Sequence, residues 1–480
     1  MTTAAHTPVG TVTTIDPTNG SELAAYEETS DERVDAILDR AKRAAVSWRG
    51  VPVTERAEAV RSLGQAMRER GDELARLATR EMGKPLAQSQ AEVEKCAWTC
   101  EWFADHGPAL LASESIDTGA VRSRVVYSPL GVLFAIMPWN FPYWQVIRAL
   151  APAVTAGNVV VLKHAPSTTG CALLLQEVAA AASPSPDLFS VVVAGFDRTP
   201  AVSERIISDD RVAAVTLTGS TGAGRAVASI AGRALKKTVL ELGGSDPFIV
   251  LADADIAAAA DYAVRSRFQN TGQSCIATKR IIVEDSIADE FTAEFLSGVS
   301  RLVVGDPLTP EVTIGPLARS DLRDALIRQV EVSVRSGARV LAGGRAVDGP
   351  GFYYQPTVLD QVTAEMPVLA EEVFGPAVPL VRASDVDDAV RLANHTRFGL
   401  GSNVWTADLQ RGAAVADRLD AGHTAVNGLT ASDARLPFGG IKDSGYGREL
   451  SRHGIQEFVN VHAVVTYGPH GPDAADQAVE

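Results

Sequence analysis

A chain of 480 residues is too long for one ordinary core, and at about 150 residues per domain it implies two to three. Its 46% hydrophobic and 21% charged residues match a soluble globular protein. A net charge of −15 argues against nucleic acid or an anionic membrane as partner, since a phosphate surface needs a basic patch, yet it leaves room for a small anion held by one local cation.

The opening MTTAAHTPVGTVTTIDP has no basic region before an apolar run and little arginine, so it reads as a short disordered lead-in and not as a targeting signal. The first hundred residues then read as helical, with Val60, Leu63, Met67, Leu74 and Leu77 at helical spacing. From about residue 124 short apolar runs alternate with helical segments. VLFAIM (132–137), NVVVLK (158–163), FSVVVAG, VAAVTLTG and TVLELGG are strand candidates, separated by helical WQVIRALAPAV, CALLLQEVAAAA and 223–235. That rhythm predicts a parallel sheet covered by helices on both faces.

A second alternation runs from PFIVLADAD near residue 246, through a helix over 255–268 and the strand RIIVED, to about residue 443. The expectation is two α/β domains with a cleft between them. VRSRVVYSP (121–129) and VNVHAVVTY (459–467) are outlying strands, candidates for an arm pairing with another subunit, and PHGPDAADQAVE is a frayed tail. Polar residues or proline interrupt every apolar stretch before membrane-spanning length, and the chain is expected in the cytoplasm.

Four cysteines, with no CxxC and no Cys/His cluster at zinc spacing, predict no metal site. Cys96 and Cys100 share one helix face, a packing pattern, and a reducing cytosol disfavours structural disulfides. Cys275, in FQNTGQSCIATKR, is left as packing residue or nucleophile.

Several other segments carry two readings each. LTGSTGAG (217–224) follows a strand and opens a helix, so its glycines serve turn geometry or face a phosphate. Lys163, at a strand end in LKHAP, is a solvated lysine or a contact to a ribose or phosphate. Asn140 in MPWNFP is a turn former or a fixed amide donor aimed at an oxyanion. Glu241 in VLELGGSDP is a satisfied structural carboxylate or a general base. Glu372 and Phe374, in EEVFGPAVPL, end a helix or meet ribose hydroxyls and a flat ring.

In order, MPWNFP, LK, LTGS-x-x-x-G, ELGG, GQSC, EEVFGP and PFGG-x-K-x-SG-x-GRE resemble the NAD(P)-dependent aldehyde dehydrogenase superfamily from about residue 15 to 465. KHAP, FQNTGQSC, SDPFIVL and ASDARLPFGG are most similar to the short bacterial succinate-semialdehyde dehydrogenases. The resemblance implies an α/β fold of three parts. A Rossmann-like cofactor domain takes 1–120 and 131–242, a catalytic domain 243–443, and an oligomerisation arm 121–130 and 455–468, with 469–480 as tail. It implies Cys275 as nucleophile, Asn140 as oxyanion donor, Glu241 as base and Glu449 as proton relay. Lys163 and Glu372 match ribose contacts, Gly219, Ser220 and Gly224 a phosphate loop, and Trp139 and Phe374 residues beside the cofactor.

Arg148 matches an arginine that clamps a substrate carboxylate, and Ser432 a serine assisting it. A second arginine of mammalian-type relatives is replaced by Gln269. Pro166 stands where strictly NAD-preferring relatives carry glutamate, so dual use of NAD and NADP is expected. Ala277 removes a second cysteine that would form a disulfide switch. The implied reaction is oxidation of succinate semialdehyde to succinate through a cysteine thiohemiacetal and thioester, in a homodimer or homotetramer. Glutarate semialdehyde or a neutral aldehyde is the alternative substrate. A silent member of the fold, or a cysteine hydrolase using His423 or His453, is a remote one.

Overall fold

The computed structural model describes residues 10–471. Apolar strand runs and glycine-ended helices from residue 131 onward build two sheets. The first has six strands in the order Gly445–Tyr446, Lys237–Glu241, Val212–Thr218, Val132–Met137, Val159–His164 and Phe189–Val192. Five run parallel, and only Gly445–Tyr446 is antiparallel, against Lys237–Glu241. Val159–His164 is buried along its whole length, as a strand covered on both faces must be. Helices Trp144–Ala156, Thr169–Ala182 and Thr221–Arg233 join these strands. Helices Asp31–Arg49, Val53–Glu69 and Leu86–Leu110 complete the same core through Leu38, Leu63, Met67 and Phe103.

The second sheet has seven strands: Arg339–Ala342, Thr357–Asp360, Ala377–Ala383, Thr278–Glu284, Asp246–Val250, Gly401–Trp405 and His423–Val426. It is parallel except for the Arg339–Ala342 edge. A third, antiparallel sheet pairs Glu114–Ser115 and Val459–Thr466 with Arg122–Pro129, in register from Val459 opposite Pro129 to Thr466 opposite Arg122.

Lys237–Glu241 ends in the first sheet and Asp246–Val250 begins in the second, so Leu242–Ser245 is the crossing between them. This crossing positions the site.

The expected lead-in and all-helical first hundred residues are corrected by a hairpin of Thr11–Ile15 with Glu22–Glu27. Val12 and Thr14 point inward, and the turn closes through Thr18 bonds to Asp16 Oδ1 and a left-handed Gly20. Five residues of threonine-rich alternation carry too little apolar signal to stand out. Residues 1–9 of the lead-in and 472–480 of the tail lie outside the described residues. No described helix is long and apolar enough to cross a membrane.

Candidate active site

Helix Ile256–Phe268 ends in three successive left-handed residues, Asn270, Thr271 and Gly272, before the chain enters Thr278–Glu284. A β-branched threonine there is strained by roughly 1–3 kcal/mol and persists only where its surroundings over-determine it. They do so here. Asn270 N donates to Gln88 Oε1 (2.7 Å), and its Nδ2 to the carbonyls of Asn140 (2.8 Å) and Gln273 (3.1 Å). Thr271 Oγ1 donates to Gly315 O (3.2 Å), and Gln273 Oε1 accepts from Ala318 N (2.9 Å). A side chain at Gly272 would collide with the Gly375 carbonyl. Below the loop the buried Lys279 donates to the carbonyls of Ser274 (2.7 Å) and Cys275 (2.6 Å).

The loop therefore holds Cys275 rigidly and leaves it partly exposed, whereas Cys96, Cys100 and Cys171 are buried. Burial pushes its thiol up to about 11, opposed by Arg148 and Lys279 and reinforced by Glu241 and Asp246. No histidine hydrogen-bonds Cys275 among the described residues.

Two neighbours close on the loop. Asn140 Nδ2 donates to Gln273 O (3.1 Å), which fixes the amide against the cysteine segment. From the sheet crossing, Gly244 lies so close that a Cβ would stand 2.6 Å from Cys275 O and 3.0 Å from Asp246 Oδ1. Gly244→Ala is expected to displace the loop and cut kcat on the order of 10²-fold while the far-UV circular dichroism stays native, since a misplacement near 1 Å has that cost. An unaltered kcat would show that the close approach has no bearing on activity.

Glu241, at the end of its strand, is buried and neither carboxylate oxygen has a hydrogen-bond partner among the described residues. Burial, then the nearby Glu449, hold it well above the ordinary carboxylate range. Glu449 is raised too, by burial, but Arg148 counteracts this. Gly439, at positive φ, lets the Phe438–Gly440 turn approach within 2.7 Å of Glu241 Oε1, measured from where a Cβ would stand.

Arg148, expected to clamp a substrate carboxylate, has partners of its own in this structure. The guanidinium is buried, ion-paired through Nε with Glu449, bonded through Nη2 to Thr218 Oγ1 (3.2 Å), and lies 4.6 Å from the centroid of the Phe438 ring. Sequence spacing located the arginine but could not show that Glu449, three hundred residues on, neutralises it. Ser432 Oγ accepts from Lys95 Nζ (2.9 Å), a lysine that no motif had singled out. Gln269 is exposed beside the loop.

On the other side of Trp139 the residues suit a dinucleotide. Lys163 is buried with no ion pair or hydrogen bond among the described residues, and burial lowers it to about 8. Pro166 opens a short 3-10 turn next to it, and Ser167 Oγ is buried without a partner among the described residues. Trp139 meets Phe374 edge to face at 5.7 Å. Glu372 Oε1 accepts from Gly244 N (3.0 Å) and lies 3.7 Å from Lys279 Nζ, which ties it to the cysteine loop.

The residues of the expected phosphate loop are engaged within the protein. Gly219 N already donates to Glu241 O (2.9 Å), and a Cβ on Gly224 would strike Leu242 Cδ2 at 2.5 Å, so Gly224 is a packing glycine. Ser220 caps the helix by accepting from Ala223 N (3.2 Å). Among the described residues the amides of Thr221 and Gly222 at this helix start have no acceptor, and the space about Gly222 is open. The motif's register concealed this, because helical phase decides which amide faces outward.

A model of the aldehyde dehydrogenase family matches residues 3–464. A protein of Escherichia coli (strain K12) named succinate semialdehyde dehydrogenase, for NAD(P)+, is 46% identical over 458 residues, covering 95% of this chain and 98% of that one. A succinate-semialdehyde dehydrogenase for NADP(+) of Mycobacterium tuberculosis (strain H37Rv) is 44% identical, covering 94% and 99%. Among solved structures, the succinic semialdehyde dehydrogenase of Streptococcus pyogenes in complex with NADP+ superposes with a TM-score of 0.92 at 33% identity, covering 95% and 100%.

Proposed function

We propose, from the premise that this chain belongs to the aldehyde dehydrogenase family, that it oxidises succinate semialdehyde to succinate with NAD+ or NADP+. The carrying observation is the meeting of the partly exposed Cys275, the fixed amide of Asn140 and the partnerless carboxyl of Glu241 at the crossing between the two sheets.

In this reading Cys275 yields its proton to solvent, and the thiolate attacks the aldehyde carbon, forming an S–C bond and sending the carbonyl electron pair to oxygen. Asn140 Nδ2, which has a second hydrogen to give, and the Cys275 N–H, which has no acceptor among the described residues, receive that oxyanion. The bound dinucleotide supplies the hydride acceptor, which leaves the substrate as a thioester on Cys275. Glu241 takes a proton from the water that attacks the thioester, and the acid is released as the thiol re-forms. In the same reading Glu449, ion-paired to Arg148 and electrostatically coupled to Glu241, passes that proton on. A base in this position favours hydrolysis over transfer to a second thiol.

The residues present fit the dinucleotide. A buried, unpaired Lys163 and a partnerless Ser167 hydroxyl await an acceptor, and Thr221 and Gly222 offer amides to a phosphate. Trp139 and Phe374 offer an aromatic wall, and Glu372 an acceptor for ribose hydroxyls. With Pro166 next to Lys163 no carboxylate repels a 2′-phosphate, which supports dual use. The six-stranded sheet would serve the cofactor and the seven-stranded sheet the catalytic loop. The exposed Val461 and Val465 on the third sheet support a homodimer or homotetramer, and a free catalytic thiol suits the cytoplasm.

The test is a kcat/KM panel of succinate semialdehyde, glutarate semialdehyde and butanal with both dinucleotides. Succinate semialdehyde should exceed butanal by roughly tenfold or more, the value of one charge-assisted contact, and the two dinucleotides should lie within about tenfold of each other. Butanal turned over as well as the semialdehyde would sink the substrate assignment.

A further inference from the structure

Around the Arg148 helix several charged side chains balance in pairs. Arg148 faces Glu449, Lys84 faces Glu92, and Arg435 faces Asp433 at 2.6 Å. Lys95, half-buried on helix Leu86–Leu110, has no carboxylate within ion-pair distance among the described residues. Its ammonium instead donates to Ser432 Oγ (2.9 Å) and lies 4.2 Å from the centroid of the Trp144 ring.

Trp144 is four residues before Arg148 on Trp144–Ala156, so the two share one face of the helix that follows the Asn140 loop. Arg148 in turn lies within electrostatic reach of both the Cys275 thiol and the Lys95 ammonium. A cation held out of water without a counter-ion is costly, and the arrangement is completed by an anion arriving from outside.

We propose that Lys95, oriented by Ser432, is the residue that seats the distal carboxylate of the aldehyde substrate. This rests on the reading of the substrate as a short semialdehyde and names the group that recognises it. Arg148 is already neutralised by Glu449. Ser432 and the Trp144 ring hold the ammonium in one place, so little side-chain freedom remains to be lost on binding.

Titration of Lys95 offers an independent handle. Burial and then Arg148 lower it to about 8, whereas Cys96, Asp433 and Glu92 raise it. The facing groups are Arg148 on its helix, Asp433 in the loop with Ser432, and Glu92 and Cys96 on the lysine's own helix. Asp433 is kept ionised by Arg435, and burial keeps Cys96 protonated. Lys95 is thus the member of this group that loses charge as pH rises through 8.

The experiment compares Lys95→Met and Lys95→Arg with wild type, on succinate semialdehyde and on butanal at saturating dinucleotide. Lys95→Met should lose roughly ten- to a hundredfold in kcat/KM for the semialdehyde, mainly through KM, and keep butanal turnover within about threefold. Lys95→Arg should recover part of the loss. In wild type the semialdehyde-to-butanal ratio should fall as pH rises through 8, which tests the lysine even if Lys95→Met does not fold. A wild type that prefers the semialdehyde, with Lys95→Met leaving that preference unchanged, overturns the assignment to Lys95 alone. A wild type with no preference overturns the substrate reading, and this proposal with it.

Discussion

Cys275→Ala should abolish dinucleotide reduction with every aldehyde, with kcat falling on the order of 10⁴-fold or more, because loss of a covalent nucleophile removes the whole two-step route. The structure gives reason to expect a clean effect. Cys275 sits on a loop fixed by Gln88, Asn140, Gln273 and Lys279 through backbone carbonyls and amides, so truncating its side chain leaves the scaffold intact. Of the other thiols, Cys96, Cys100 and Cys171 are all buried and burial raises each. None can substitute. Dinucleotide binding, followed by fluorescence quenching, should persist in the variant. Residual turnover above about 1% of wild type would overturn the nucleophile assignment.

Glu241→Gln is the second large effect, and it should act in two directions at once. Turnover should fall by roughly 10²- to 10⁴-fold, the usual value of a positioned base, with a burst of at most one reduced dinucleotide per subunit before the thioester stalls. Stability should rise. The folded-state pKa of Glu241 lies above its unfolded value of about 4.3, so its share of stability is full below that pH. It is then lost as pH climbs toward the folded value, because the unfolded chain releases the proton first. Glutamine removes this penalty, and the Tm advantage of the variant over wild type, about 1–3 °C, should widen between pH 5 and 8. Undiminished steady turnover, or a Tm difference that shrinks with pH over that range, would remove Glu241 as the buried base. The same upward shifts predict that wild-type activity climbs toward alkaline pH, since burial raises both the Cys275 thiol and the Glu241 carboxyl.

Much of the architecture was legible because the strands are short, apolar and separated by helices of regular period. Val132–Met137, Val159–His164 and Val212–Thr218 coincide closely with runs visible in the sequence. Thr11–Ile15 was not, since β-branched threonines alternate without the apolar contrast that marks a half-buried strand. Chemistry-bearing residues were legible as types in motifs, but their partners were not. The pairing of Arg148 with Glu449, and of Lys95 with Ser432, joins positions three hundred residues apart, and no spacing rule reaches that far. Likewise the glycines of 217–224 advertised a phosphate loop, yet the strand takes the amide of Gly219, and Gly224 makes room for Leu242.

The crossing at Leu242–Ser245 also bears on the order in which the molecule can become active. Asn140 and Gln273 are 133 residues apart when they bond, and Gly244 and Glu372 are 128 apart. Contacts that close such long stretches of chain form late, since their entropy must be offset by structure already in place. Each sheet can collapse on its own local helices, but the thiol acquires its surroundings only when both are present and joined. A refolding or newly synthesised chain therefore carries an ordinary, unguided cysteine until its last step of assembly. Reactivity toward aldehydes is withheld until the molecule is whole.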